Sequence, residues 1–200
     1  MSVRERGMTL VELLVAVALI ALLTVLAVPP LLQSTAELRV QAAARGVASI
    51  LQLARSYAVR HSANVGLRFY PEGERVTWIL YRDGDGNGVL NRNIEDGSDP
   101  PAVHSETVAH LGTSSVHFGF PPGPPPRDPS DRRRRLDNLD DPIRFNRSDI
   151  ASFSSLGGAT PSTVYLTDGG RRLAAVRVSS VAGRIRVLVY DPDAEVWSEL

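Results

Sequence analysis

Oxygen-bearing side chains alternate with glycines along Asp83-Gly84-Asp85-Gly86-Asn87-Gly88. That spacing aims several hard ligands at one point while the glycines turn the chain sharply, as in loops that hold a calcium ion. Counting from Asp83, Asn91 falls at the ninth position, but the twelfth, where a bidentate acid belongs, is Ile94, and Glu95 misses it by one residue. Two readings stand: a weak calcium loop at Asp83, Asp85, Asn87 and Asn91, or a plain Gly/Asp hairpin loop. A structural ion there would stabilise the loop and perform no reaction.

Other reactive groupings are sparse. His104, His110 and His117 are spaced like no common zinc site. Ser105 beside His104 has no nucleophile elbow around it, and no glycine-rich phosphate loop precedes a helix. Cysteine is absent, which removes disulfides, thiolate nucleophiles and Cys-based metal sites. The expectation is a protein that is not an enzyme and has no cofactor, calcium excepted.

Glu12 is the remaining ionisable group in an unusual place. From Leu13 to Val28 the chain is apolar apart from Thr24, and after Pro29 and Pro30 it resumes with Leu31 and Leu32. A bilayer core is about 30 Å thick and a helix rises about 1.5 Å per residue, so the stretch from Thr9 to Leu32 is long enough to span it. An acid at the edge of a span is costly without a partner, which makes it a functional residue by default. A secretory signal peptide is cut after its apolar middle. Here the small residue, Gly7, comes before the apolar run, directly after Arg4-Glu5-Arg6. Those arginines are expected to keep the N-terminus in the cytoplasm.

The segment Gly7-Met8-Thr9-Leu10-Val11-Glu12-Leu13-Leu14-Val15 resembles the class III prepilin signal of type IV pilins and type II secretion pseudopilins. The resemblance implies that a membrane peptidase cuts after Gly7, that Met8 becomes the N-methylated new N-terminus, and that Glu12 serves filament assembly. It also implies a single-pass protein of the inner (cytoplasmic) membrane with an extracytoplasmic head. Its partners would be other pilins or pseudopilins, the prepilin peptidase and an inner-membrane assembly platform, with secreted proteins or DNA as further candidates.

The elements that must carry these residues are legible from periodicity. The chain has 200 residues, 43% hydrophobic and 22% charged, enough for one domain and an appendage. All cationic side chains are arginines, and the zero formal charge argues against coating nucleic acid by bulk charge. Val47, Ile50, Leu51, Ala54 and Ala58 recur at helical spacing, which predicts an amphipathic helix to about Ser62. Strands are expected at 64–70 and 75–81, joined by Pro71-Glu72-Gly73, and at 107–111, 116–120, 163–167, 173–178 and 184–190. The expected fold class is α+β and pilin-like. Its long N-terminal helix, a membrane half and an amphipathic half, packs on antiparallel β-sheets.

The expected boundaries are a leader at 1–7, a membrane helix at 8–32, the amphipathic continuation at 33–62 and a β-rich head at 63–200. Within the head, 120–142 is expected to be a solvated, mobile insertion. Its Pro121-Pro122-Gly123-Pro124-Pro125-Pro126 run cannot join a sheet, and its Arg132–Arg135 run is flanked by acids.

The passage Leu51 to Arg60 followed by Asn64-Val65, and the stretches Thr163 to Asp168 and Gly183 to Val187, resemble the GspH/FimT branch of minor pseudopilins. This implies a minor pseudopilin of a type II secretion pseudopilus, a structural subunit in protein secretion. The alternative is a FimT-like minor pilin of a type IV pilus that acts in assembly and DNA uptake. For that alternative, Gly183-Arg184-Ile185-Arg186 matches a terminal Gly-Arg-x-Arg pattern linked with DNA. Arg184 and Arg186 would project from one strand face toward neighbouring phosphates.

Overall fold

The apolar and amphipathic stretches at the N-terminus are one helix in the computed structural model, α1 (Leu10–Arg60). The structure describes residues 9–72, 75–102, 107–110, 116–146, 148–179 and 182–200, with the side chains of 25–34, 71, 72, 75, 76 and 107–110 excepted. Two compact units are present, 1–37 and 38–200.

In the first unit the helix is apolar on every described side, and Leu10, Val11, Leu13, Leu14, Val17, Ile20, Leu22 and Leu23 are all exposed. The hydroxyl of Thr24 donates to the Ile20 carbonyl at 2.7 Å, which satisfies the one polar side chain inside that run. Among the described residues no helix is long and apolar enough to cross a membrane. The span expected at 8–32 extends over Met8 and the side chains of 25–32, which lie outside the described residues.

The second unit is built on the amphipathic half of α1. Val40, Ala43, Ala44, Val47, Leu51, Ala54 and Ala58 are buried at the three- and four-residue spacing of one helix face. Several of these are alanines, and small side chains let the helix axis lie close to a sheet. The face packs on Leu67, Phe69, Leu80, Val164, Leu166, Val176 and Val178.

Two antiparallel sheets receive it. The first joins β1 (Val65–Glu72), β2 (Arg75–Arg82), β3 (Thr107–His110) and β6 (Ile150–Phe153) in the order β3-β2-β1-β6. The second runs β10-β9-β8-β7-β4, from β4 (His117–Phe118), β7 (Ser162–Thr167), β8 (Leu173–Ser179), β9 (Arg184–Asp191) and β10 (Val196–Glu199). The short β5 (Ile143–Arg144) also pairs with β7. A single turn of helix, α2 (Asn91–Asp96), closes on Gly97 with φ of 82°, a left-handed cap that glycine adopts without strain.

The strands expected from alternation are present to within a few residues, whereas α2, β5, β6 and β10 were not expected. These elements are short and carry little periodic signal.

The 120–142 segment contains no named strand, as expected, and its Arg132–Arg135 run is exposed; the difference from expectation is that it is anchored, as a strap laid on the outer face of the second sheet. Leu136 is buried with Tyr165, Leu173, Ala175 and Tyr190, and Phe120, Leu139 and Trp197 pack on the same cluster. The strap is tied down by polar contacts as well. Arg127 reaches Glu195 at 2.8 Å, Arg135 bonds the other oxygen of that carboxylate, and the Trp197 indole donates to the Arg127 carbonyl at 2.7 Å. Of the Arg132–Arg135 run, Arg135 is the member that meets this acid, and all four stay exposed. This also explains β8, whose Leu173-Ala174-Ala175-Val176 run is buried throughout. Alternate residues face the helix side and the strap side, so both faces of the strand are covered.

Candidate functional site

Three places carry the groups singled out by the sequence. At the N-terminus, Gly7 and Met8 lie outside the described residues. Glu12 is described, and it sits in the first turn of α1. Its carboxylate accepts from the Thr9 backbone N–H at 2.9 Å and from the Thr9 hydroxyl at 3.0 Å, while the Thr9 hydroxyl accepts from the Glu12 N–H at 3.3 Å. This is a reciprocal capping box, which satisfies donors that a helix start leaves orphaned. Thr9 was not singled out from the sequence, though the spacing Thr9-x-x-Glu12 is the pattern by which such a cap is found. Glu12 is thus placed by a local contact at the head of an exposed apolar helix, with its second oxygen free of that cap.

The second place is the loop after β2. Asp83, Asp85 and Asp99 bring carboxylate oxygens within 4.8 Å of one another, the group of potential ligands that converges among the described residues. Asp83 accepts from Gly86 N–H at 2.8 Å, Gly88 N–H at 3.0 Å and Asn64 at 3.1 Å. Burial pushes its carboxyl up, but these hydrogen bonds outweigh it and hold the group below the ordinary carboxylate value. Asp99 is 1% exposed and accepts from the Gly84 and Leu90 N–H groups.

Asn87 stays beside Asp85, as the alternation requires. Asn91 does not join them; its amide donates to the Ser148 carbonyl at 3.3 Å. Asn93 takes that place instead, donating to Asp85 at 3.0 Å and to Asn87 at 3.1 Å. The cause is α2: once the chain coils at Asn91, the ninth position turns away and the eleventh turns in. Asp99 lay beyond the reach of a spacing argument, because the Gly97 turn returns it to the loop.

The third place is the outer face of β9. Arg184 and Arg186 share it, and the register sets Arg177 of β8 directly opposite Arg186. Glu199 of β10 faces both, at 4.0 Å from Arg184 and 3.6 Å from Arg186. Arg171 does not join them, since it pairs with Asp193. Among the histidines, His61 stacks on Tyr57 at 4.1 Å and His117 pairs across to Thr167 in the second sheet. His104 and the side chain of His110 lie outside the described residues.

Comparison with known proteins bears on two segments. Residues 3–28 match the prokaryotic N-terminal methylation motif. The chain is 35% identical over 100 residues to "Pilin-like protein PilA1" of Thermus thermophilus, an alignment that covers 50% of this chain and 60% of that relative. The alignment thus spans 60% of that protein's length. Among solved structures, two of the minor pseudopilin EpsH from the type 2 secretion system of Vibrio cholerae are similar. One has 14% identity and a TM-score of 0.43 over 76% of this chain and 97% of that one; the other has 12% and 0.37 over 82% and 94%. The remaining finding covers residues 43–183, more than half the chain, from the amphipathic half of α1 through β8 and short of β9 and β10. Over that length the chain matches, and therefore belongs to, the family described as Type II transport protein GspH.

Proposed function

We propose that the chain acts as a minor pseudopilin of a type II secretion pseudopilus, a structural subunit without catalysis. It is cut after Gly7, methylated on Met8 and held in the inner membrane by 8–32, with its N-terminus cytoplasmic and its head outside. The observation that carries this reading is Glu12, an acid in the first turn of α1, at the head of an apolar, exposed run inside a methylation motif. A charge in that position is a liability unless a partner neutralises it. The new amine of a neighbouring subunit is such a partner, so assembly converts two liabilities into one ion pair. The partners are then other pseudopilins, the prepilin peptidase and the assembly platform, with secreted proteins as cargo.

The test is direct. Mass spectrometry of the mature protein should find Met8 as a methylated N-terminus, and Glu12→Leu should be processed and inserted but fail to crosslink with partner pseudopilins. A mature chain that begins elsewhere overturns the reading.

The alternative, a minor pilin that takes up DNA through Arg184 and Arg186, draws support from the pilin-like relative and from the shared strand face. Glu199 weighs against it, because a phosphate strand would have to displace or pass this acid.

The Asp83 loop adds a structural feature to either reading. Its carboxylates keep unused lone pairs after their backbone contacts, a donor set suited to calcium at about millimolar affinity. Millimolar calcium should then raise the melting midpoint of the wild type and not that of Asp85→Asn, with magnesium as the control.

A further inference from the structure

The arginine face continues into a cavity of about 320 Å³ between the strap and the second sheet. Arg177 and Arg186 enter it from β8 and β9, and Arg132 from the strap. Arg177 and Arg186 are directly opposed in the register, an arrangement in which like charges repel. The acid that the described ion pairs bring to this group is Glu199, which is already divided between Arg184 and Arg186. The strap's own nearby acids are turned elsewhere: Asp128 accepts from the Ser130 N–H and Asp131 from the Arg133 N–H. Arg186 also has its Nε buried with no hydrogen-bond partner among the described residues. Arg177 donates its Nη1 to the Pro129 carbonyl of the strap at 2.8 Å, which leaves its other N–H groups. A planar guanidinium offers its donors in a fork that matches an oxyanion, so the remaining donors of Arg177, Arg186 and Arg132 around one cavity suit such a group.

The walls narrow the class of anion. Leu188 and Trp197 give the cavity an apolar side. The Trp197 N–H is already committed to the Arg127 carbonyl, which leaves the indole ring as the available surface. A short aliphatic stem ending in a carboxylate uses both halves of such a cavity, with methylenes on Leu188 and Trp197 and the carboxylate on the arginines. A nucleic-acid strand fits less well. Its successive phosphates would run past Glu199 and the acids of the strap, which cancel any extended positive field.

We propose that this cavity receives a glutamate or aspartate side chain of a partner protein segment. Arg177 and Arg186 grip the carboxylate, Arg132 closes over it, and Glu199 is the competitor that an incoming acid displaces. This inference goes beyond the filament role and does not depend on Glu12.

The test uses the full chain in detergent micelles, with indole-labelled Trp197 followed by NMR. It is titrated with a short capped peptide carrying one central glutamate, its glutamine counterpart, inorganic phosphate and a thymidine oligonucleotide. The glutamate peptide should shift the Trp197 signal and bind at least about ten-fold more tightly than the glutamine peptide, the difference expected for a charge-assisted contact. Arg177→Gln and Arg186→Gln should each weaken it by about the same factor. Glu199→Gln should tighten it, a sign that misfolding cannot imitate, and Arg171→Gln and Glu12→Leu should leave it unchanged. Equal binding of the two peptides, no binding by the wild type, weaker binding by Glu199→Gln, or tighter binding of the oligonucleotide or of phosphate would each overturn the proposal. Because the Glu12→Leu chain is assayed alongside, failure of peptide binding and failure of filament assembly are read separately.

Discussion

A side chain added at Gly84 would meet the backbone oxygen of Ser98 at 2.0 Å. No rotamer relieves that contact, because the backbone fixes where a Cβ lies, its partner is a main-chain oxygen, and the Gly84 N–H is held by Asp99 at 3.1 Å. Gly84→Ala should therefore destabilise the head by roughly 3 kcal/mol and lower its melting midpoint by roughly 5–10 °C. Gly86→Ala, at φ of 82° but with open space around it, should cost less, about 1 kcal/mol. Thermal melts of the two variants side by side test the ranking, and equal losses would contradict the packing argument. The same pair shows what was legible at this scale. Alternation in the sequence found Asp83, Asp85 and Asn87, since those positions meet within one loop. It could not find Asp99 or Asn93, whose approach depends on where α2 begins and on the Gly97 turn. Gly183 makes a similar point: a Cβ there would lie 2.8 Å from the Gly157 oxygen, so the glycine of the Gly-Arg-x-Arg pattern is required by packing whatever the arginines bind.

Elements were read well where both periodicity and length were present, and poorly where a partner determined the outcome. The amphipathic half of α1 and the β7, β8 and β9 meander follow from their patterns. The anchoring of the strap did not: its arginine run is exposed as its pattern says, but nothing periodic marks Leu136 as a residue that a sheet face buries. An unbroken apolar run at β8 was the available signal, since it calls for cover on both faces. Glu195 is the acid that fastens the strap. Hydrogen bonds from Arg135 and then Arg127 hold its carboxyl below its ordinary value of 4.5. A carboxyl depressed in the folded state stabilises fully above its unfolded value, and that contribution is lost as pH falls through the folded value. The strap's attachment should thus be intact above about pH 5 and weaken progressively below 4.5. Limited proteolysis within 127–135, measured against pH, should show cleavage rising in that window for the wild type. Glu195→Gln should already be cleaved faster at neutral pH and show a flatter dependence; a Gln variant with the wild-type profile would remove Glu195 from this role.

At the scale of the whole molecule the two units ask for different surroundings. Unit 38–200 has a core of its own, whereas the described side chains from Leu10 to Leu23 are nearly all apolar, Glu12 apart, and none is buried. The sequence displayed this division plainly, since apolar length alone marks it. What it left open is whether Glu12 is there for its charge or for its helix. The structure sharpens that question, because the Thr9–Glu12 cap is a sufficient local reason for an acid at this position. Glutamine separates the two roles, since a capping box accepts Glu or Gln at its third helical position. Glu12→Gln should keep the Thr9 contact, the helix start, membrane insertion and processing, yet lose the charge proposed to pair with the amine of a neighbouring subunit. Glu12→Leu loses both. If pairing with that amine governs assembly, Gln and Leu should fail alike in crosslinking to partner pseudopilins, although both chains resist extraction from the membrane and both begin at Met8. If the cap is what matters, Gln should assemble like the wild type and only Leu should fail, and the proposed ion-pair account would then be wrong.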